Sequence, residues 1–316
     1  MAKKWNLIVD VERCNNCRVC FIAVKDEHNG NDFPGYAAPQ PPQGHKWLDI
    51  ERKERGTYPL VDAHFVPTMC NHCDDAPCLK AARDGAVRKR EDGIVIIDPV
   101  KAKGQKQIVE ACPYGAISWN EEKQIPQAWI FDAHLLDAGW TKTRVEQACP
   151  TGVFRAVKVD DAGMKRLQAE EGFEVLRPEL GTRPRVWYKN LHLMTKCFVG
   201  GSVVADVVGA APVGAAPAAT PRSGLAPLPQ ESSSSPVGAT PVATVEECIA
   251  GAEVVLRQDG RELARTTTDI FGEWKIDRLE PGSRGYEVEV ASPAGRFATR
   301  FDLGEESRYL GVMKLA

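Results

Sequence analysis

Two short runs decide how this chain is read: Cys14-Asn15-Asn16-Cys17-Arg18-Val19-Cys20 and Cys70-Asn71-His72-Cys73-Asp74-Asp75-Ala76-Pro77-Cys78. Each places three thiols within the reach of one loop. Two more cysteines stand directly before proline, in Cys112-Pro113-Tyr114-Gly115 and Cys149-Pro150-Thr151-Gly152. Of the 10 cysteines, these eight all precede residue 150, and only Cys197 and Cys248 stand apart. The two outliers read as packed or free thiols, since an unligated cysteine behaves as a small hydrophobe.

A local triplet completed by a distant Cys-Pro is how bacterial ferredoxins close a four-iron cubane. Three thiolates plus one, twice, make two closed sites. A CxxCxxC loop can aim three sulfurs at three corners of a cluster while its backbone N–H groups point at the inorganic sulfides. Four-cysteine zinc sites also use CxxC pairs, but two triplets that each await a remote Cys-Pro favour iron and sulfur.

Composition narrows the partners. With 316 residues the chain is long enough for two domains with separate cores. A formal charge of -3 gives no electrostatic footprint for nucleic acid. The apolar stretch Asn6–Asp10 is too short for a secretory core, so no cleaved signal is expected. Even Val203 to Val213 is broken by polar residues and proline, so no membrane span is expected either. Without a secretory route the thiols read as ligands rather than a disulfide framework, in a cytoplasmic protein.

Residues 1–160 form the expected cluster-bearing region, with short strands at Leu7–Val9 and Ile94–Ile97. A helix is predicted from a cap at Asp160 or Asp161 to Gly172, with Met164 and Leu167 on one face, followed by an extended connector, so that 161–197 joins two domains. From residue 198 the period becomes two: Val254 and Leu256, then Tyr286, Val288 and Val290, then Phe297, Thr299, Phe301 and Leu303, with a hairpin at Asp259-Gly260. These short strands over 198–316 indicate a β-sandwich, with Gly200–Ala205 as its first strand. Between 207 and 244 the chain turns to Ala, Pro, Gly and Ser, including Ser232–Ser235, and is expected to be a flexible insertion.

On these motifs the chain resembles the four-motif iron–sulfur subunits of the molybdopterin oxidoreductases. The resemblance implies an α+β fold of two ferredoxin-like lobes, here followed by a β-sandwich. It implies that Cys14, Cys17, Cys20 and Cys149 hold one 4Fe-4S cluster, and Cys70, Cys73, Cys78 and Cys112 a second. Where that family has further ligands, this chain has Val24, Trp129, Asp132 and Val145 at one site, and Ala82, Ala102, Gln105 and Ile108 at the other. Both sets are lost whole, with no orphaned thiol left behind, and Trp129 and Val145 are expected to fill the space apolarly.

A closer resemblance, over almost the whole chain apart from the insertion, is to the small subunits of the pyrogallol-phloroglucinol transhydroxylase branch and related anaerobic aromatic hydroxylases. It rests on Asp26-Glu27-His28, Gly44–Trp47, Glu51–Pro59, Glu91–Ile94, Ala133–Asp137 and Pro178–Thr182. That branch looks to hold three clusters, one more than the two implied here, the additional one where Val24, Trp129, Asp132 and Val145 stand in this chain. The C-terminal pattern Ala252–Leu256 with Thr268–Trp274 is similar to a transthyretin-like or carboxypeptidase-regulatory sandwich, which implies docking rather than chemistry.

No phosphate loop, nucleophile elbow or HExxH run is present in the sequence. His28, His72 and His134 read as hydrogen-bonding groups rather than acids or bases, and Asp74-Asp75 as a turn. The chain is therefore expected to be non-catalytic. It is read as an electron-transfer subunit for a large molybdopterin-bearing partner acting on polyhydroxylated aromatics, with an external acceptor allowed. A scaffold whose clusters only stabilise the complex is the competing expectation. Anaerobically purified chain should be brown, with iron near two cubanes per molecule by metal analysis; a colourless, zinc-loaded sample would refute the iron–sulfur reading.

Overall fold

The computed structural model describes residues 2–208 and 244–316. The expected insertion lies, for residues 209–243, outside the described residues. The chain divides into two compact units, one of residues 1–55 and 61–196, the other of 56–60 and 197–316.

The first unit is organised around strand Lys4–Asp10, whose Leu7 and Val9 are fully buried. It pairs antiparallel with Phe154–Val159 and parallel with Val186–Lys189. Short two-stranded ribbons, Val87–Lys89 with Val95–Ile97 and Ser118–Asn120 with Ile125–Gln127, complete the strand content of the lobes. A longer hairpin, Leu48–Thr57 with Leu60–Met69, carries the chain to the second cysteine run.

Helix Asp161–Glu171 starts where the Asp160 carboxylate accepts from Gly163 N at 2.7 Å and ends at Gly172, whose φ of +70° suits a left-handed cap. Met164 packs with Ile8 and Phe173, and Leu167 lies against them. The following stretch is not a plain connector. Val186 and Tyr188 are fully buried on one face of Val186–Lys189, and this burial draws the strand into the sheet. Helix Val19–His28, an element the sequence did not announce, packs on Arg144–Ala148.

The positions where the resemblance implies further ligands are packed with side chains. Trp129 and Val145 are fully buried and Val24 nearly so, all in the core that surrounds Leu7 and Val9. Trp129 stacks on Phe131 with centroids 5.0 Å apart. Asp132, fully buried, accepts from Trp129 Nε1 at 3.1 Å and from Arg144 N at 2.8 Å. In the other set Ala102 and Ile108 are fully buried. There the Gln105 amide accepts from Arg83 N at 2.8 Å and donates to the carbonyls of Lys101 and Arg83 at 2.8 and 3.3 Å. In each set one polar side chain therefore ties its loop to a neighbouring segment by hydrogen bonds.

The second unit contains two four-stranded sheets. One has Cys197–Val208 flanked by Thr244–Cys248, Glu273–Leu279 and the parallel Arg308–Leu315. The other runs Arg261–Thr267, Glu253–Gln258, Tyr286–Ser292, Gly295–Phe301. The alternation read from the sequence falls inward: Val254, Leu256, Tyr286, Val288 and Val290 join Val199, Val203, Trp274 and Met313 in one core shared by both sheets. Asp259 and Gly260 are both left-handed, as a two-residue hairpin requires. The unit is mostly strand.

Asp132→Ala should lower the thermal midpoint, because it leaves Trp129 Nε1 and Arg144 N unpaired in a buried setting, at about 1–3 kcal/mol for each donor. Asp132→Asn, which keeps an acceptor, should lose less. Equal midpoints for both variants and the parent would show that Asp132 does not cross-link this loop.

Candidate functional site

The first cysteine run follows strand Lys4–Asp10 and a single 3-10 turn, Val11–Arg13. Its backbone turns left-handed at Asn16 and Arg18, both with φ of 60°, before helix Val19–His28 begins. The Asn15 side chain accepts from Cys17 N at 3.3 Å and tightens the turn. Cys14 is half-buried, Cys17 exposed and Cys20 buried.

Cys149 ends helix Arg144–Ala148, the helix that packs on Val19–His28. Its sulfur accepts from Val153 N at 3.4 Å. The packing brings Cys149 close enough to act electrostatically on Cys14 and Cys20. Burial pushes the Cys20 thiol up to about 12, and the neighbouring Cys14, Cys149 and Cys17 add to the rise. Cys14 is raised in the same way, by burial first and then by Cys149 and Cys17.

The second run leaves hairpin strand Leu60–Met69, turns left-handed at His72 (φ 45°), and enters helix Pro77–Ala81 with Cys78 in its first turn. Cys112 follows helix Gln107–Glu110, its N–H bonded to Val109 O at 3.2 Å. The two helices pack together, and Cys70, Cys73, Cys78 and Cys112 meet in one core with Ala102 and Ile108. Burial raises Cys70 well above the usual thiol range, and Cys78 and Cys112 raise it further. Cys78 is pushed up to about 11 by burial, then by Cys112 and Cys73. The structure thus gathers 14, 17, 20 and 149 in one place and 70, 73, 78 and 112 in another. Cys197 is buried among the strands of the second unit and Cys248 is exposed.

One backbone feature recurs. The second residue after the first position of each motif is left-handed: Asn16 after Cys14, His72 after Cys70, Gly104 after Ala102 and Phe131 after Trp129. A left-handed turn at this place reverses the chain between the first two side chains of a CxxC and lets both face one point. Only one of the four is glycine, so three residues bear the steric cost of that geometry. The same turn is present in the loops that carry cysteines and in those that do not.

Several residues around the second quartet were not singled out in the sequence. Lys89 Nζ donates to the carbonyls of His72, Cys73 and Gly93 at 2.7, 3.0 and 2.7 Å and pairs with Asp74 at 3.0 Å. Arg185, nearly buried, grips both oxygens of Asp74 and reaches Asp161 at 2.8 Å. Backbone N–H groups of Asp74 and Asp75 donate to Arg183 O and Thr182 O at 2.9 and 3.0 Å. Asp74 is therefore an anchored carboxylate, held at about 2 despite its burial by bonds to Arg185 and Lys89. The signals available in sequence were an acidic residue directly after a ligand-type cysteine and the Pro178–Thr182 stretch, which is not cysteine-bearing.

The histidines are structural. His72 Nδ1 accepts from Val95 N at 3.1 Å, and burial drops its pKa to about 3, so its ring is neutral. His134 Nε2 meets Glu27 at 3.0 Å, and His28 is wedged against Trp47 and Phe33.

The donor set fits a four-iron cluster at both quartets. Thiols buried this close together raise one another's pKa, and a polycationic centre that takes them as thiolates removes that repulsion. Among the described residues no three His, Cys, Asp or Glu side chains are gathered as a single metal ion would need them.

Comparison with known proteins agrees with this chemistry. Residues 61–159 match the model of the 4Fe-4S dicluster domain. The chain is 37% identical over 316 residues to the pyrogallol hydroxytransferase small subunit of Pelobacter acidigallici, covering 99% of this chain and 100% of that one. It is 28% identical to the arsenate respiratory reductase iron-sulfur subunit of a Shewanella species, over 58% of this chain and 95% of the relative. It is 30% identical to a tetrathionate reductase subunit of Salmonella typhimurium, over 60% of this chain and 73% of the relative. With cluster-type thiol quartets in its first unit and a relative matched end to end, the chain belongs to the family of the pyrogallol hydroxytransferase small subunit and is a 4Fe-4S iron–sulfur protein.

Proposed function

We propose that this chain is the electron-transfer subunit of a heteromeric, molybdopterin-dependent hydroxylase or transhydroxylase acting on polyhydroxylated aromatics. The observation that carries the reading is the pair of separate thiol quartets in a chain related end to end to a pyrogallol hydroxytransferase small subunit. Cys14, Cys17, Cys20 and Cys149 would hold one cluster, and Cys70, Cys73, Cys78 and Cys112 a second, giving two per chain.

A 4Fe-4S cluster, when bound, takes up and releases one electron at a time, at a potential set by hydrogen bonds, nearby charge and exposure. The chain's own residues supply the setting. Cys20, Cys73 and Cys78 are buried, which excludes water from much of each site, whereas Cys17 opens the first quartet to the surface. That exposed edge is a natural point of electron entry or exit, toward the partner or an external acceptor. Asp74, Lys89 and Arg185 fix the second ligand loop in place. Substrate chemistry belongs to the large subunit. The domain reading follows the same division of labour: 1–160 for the cluster lobes, 161–197 as the helix and extended segment that follow them and pack with the first unit, and 198–316 as a transthyretin-like sandwich for docking. Cysteines used as cluster ligands rather than as a disulfide framework support a reducing, cytoplasmic setting, and no helix among the described residues is long and apolar enough to cross a membrane.

One observation favours the scaffold alternative. His72, inside the second cysteine loop, meets Trp129 and Phe131 at 5.6 and 5.3 Å, and these aromatics belong to the core that also holds Cys20. Packed side chains rather than a further ligand set lie along that line. Stopped-flow mixing of the anaerobic complex with its aromatic substrate separates the two readings: a relay requires both clusters to change redox state on the turnover timescale, and a scaffold leaves at least one unchanged.

Ligand assignment has its own test. Cys112→Ala and Cys149→Ala should each remove one cluster, seen as a loss of about half the iron and of a different EPR signal in each variant. Loss of the same signal from both would break the pairing.

A further inference from the structure

The ammonium of Lys89 lies directly behind the second cysteine loop. Its Nζ takes the carbonyls of His72 and Cys73, and Gly93 completes the set. A trans peptide is planar, so a carbonyl turned toward Lys89 sends the N–H of the same peptide the opposite way. The Cys73 N–H, partner of the His72 carbonyl, accordingly points away from Lys89. Lys89 thus orients the ligand loop and places a positive charge within electrostatic reach of Cys70 and Cys73.

This charge is not cancelled by its surroundings. Lys4, Lys89 and Arg185 face the two carboxylates Asp74 and Asp161, three cations against two anions. Arg185 engages both oxygens of Asp74, so that carboxylate is already matched before Lys89 is counted. The first quartet has a different setting: burial, backbone N–H groups and the other thiols act on Cys14 and Cys20, and the cations beside that run, Arg13 and Arg18, are exposed, where water and salt screen their charge.

Adding an electron to a cluster makes it more negative, and a fixed cation nearby stabilises that form. We propose that Lys89 is a positioning residue that raises the reduction potential of the cluster held by Cys70, Cys73, Cys78 and Cys112, selectively over the other. The inference rests on the proposed ligand sets. It makes the second quartet the place where an electron is favoured to rest.

The test is an EPR-monitored redox titration of the intact complex, comparing the parent with Lys89→Gln, Lys89→Met and Lys89→Arg. Cys112→Ala serves to identify which signal belongs to the second quartet. Lys89→Gln keeps N–H donors for the loop carbonyls but removes the charge. It should shift the reduction equilibrium of that cluster tenfold or more toward the oxidised form, 59 mV for one electron, with the other cluster unmoved. Lys89→Met should shift it at least as far, and Lys89→Arg should restore the parent value. An unchanged potential in a Lys89→Gln protein with full iron content would overturn the inference, as would equal shifts of both clusters. If Cys112→Ala removes no signal from the complex, the ligand assignment itself is wrong, which is a separate outcome from a cluster that is present but indifferent to Lys89.

Discussion

Much of the first unit answers to one electrostatic problem, the crowding of four thiol groups at each of two sites that are partly shut off from water. Cys20 and Cys78 are both held far above the ordinary thiol range by burial and by their neighbours. Such an arrangement is unfavourable for thiolates on their own and favourable around a cationic metal core. The local architecture follows from it: short helices that end or begin at a cysteine, tight left-handed turns between ligand positions, and small two-stranded ribbons beside a three-stranded sheet. The loops have few stabilising contacts of their own, so their shape depends on fixed partners such as the Asp74–Arg185 pair and the backbone links from Thr182 and Arg183.

The chemistry was legible before the structure because it is written in residue type and spacing. Cysteine triplets followed by remote Cys-Pro are rare by chance, and their grouping in space follows from folding two such loops. Alternation at Val254, Leu256, Tyr286, Val288 and Val290 likewise announced strands, since a period of two has few other meanings. The capped helix from Asp161 was readable for a similar reason, with an aspartate before it and a glycine after it.

Other features had no local signature. Helix Val19–His28 buries Cys20, Val24 and His28 along one face, but it leaves Val19 and Ile22 exposed and places a histidine in the buried row, so its sequence shows no clear amphipathic stripe. The strand at Val186–Lys189 is only four residues long and is held by a partner nearly 180 positions away, so nothing nearby in sequence declares it. Lys89 and Arg185 are also invisible in a linear reading. Each looks like one more surface cation until the fold brings it to the second cysteine loop.

The left-handed residue shared by the loops at Asn16, His72, Gly104 and Phe131 bears on what keeps such a loop in shape. Because the turn is present in loops with and without thiols, this backbone does not need a ligand at every such position to hold its shape. A single amide or carboxylate, as at Gln105 or Asp132, supplies the bracing there. The frame of such a loop is therefore separable from its occupant: packed side chains and one hydrogen-bonding group are enough to keep it standing.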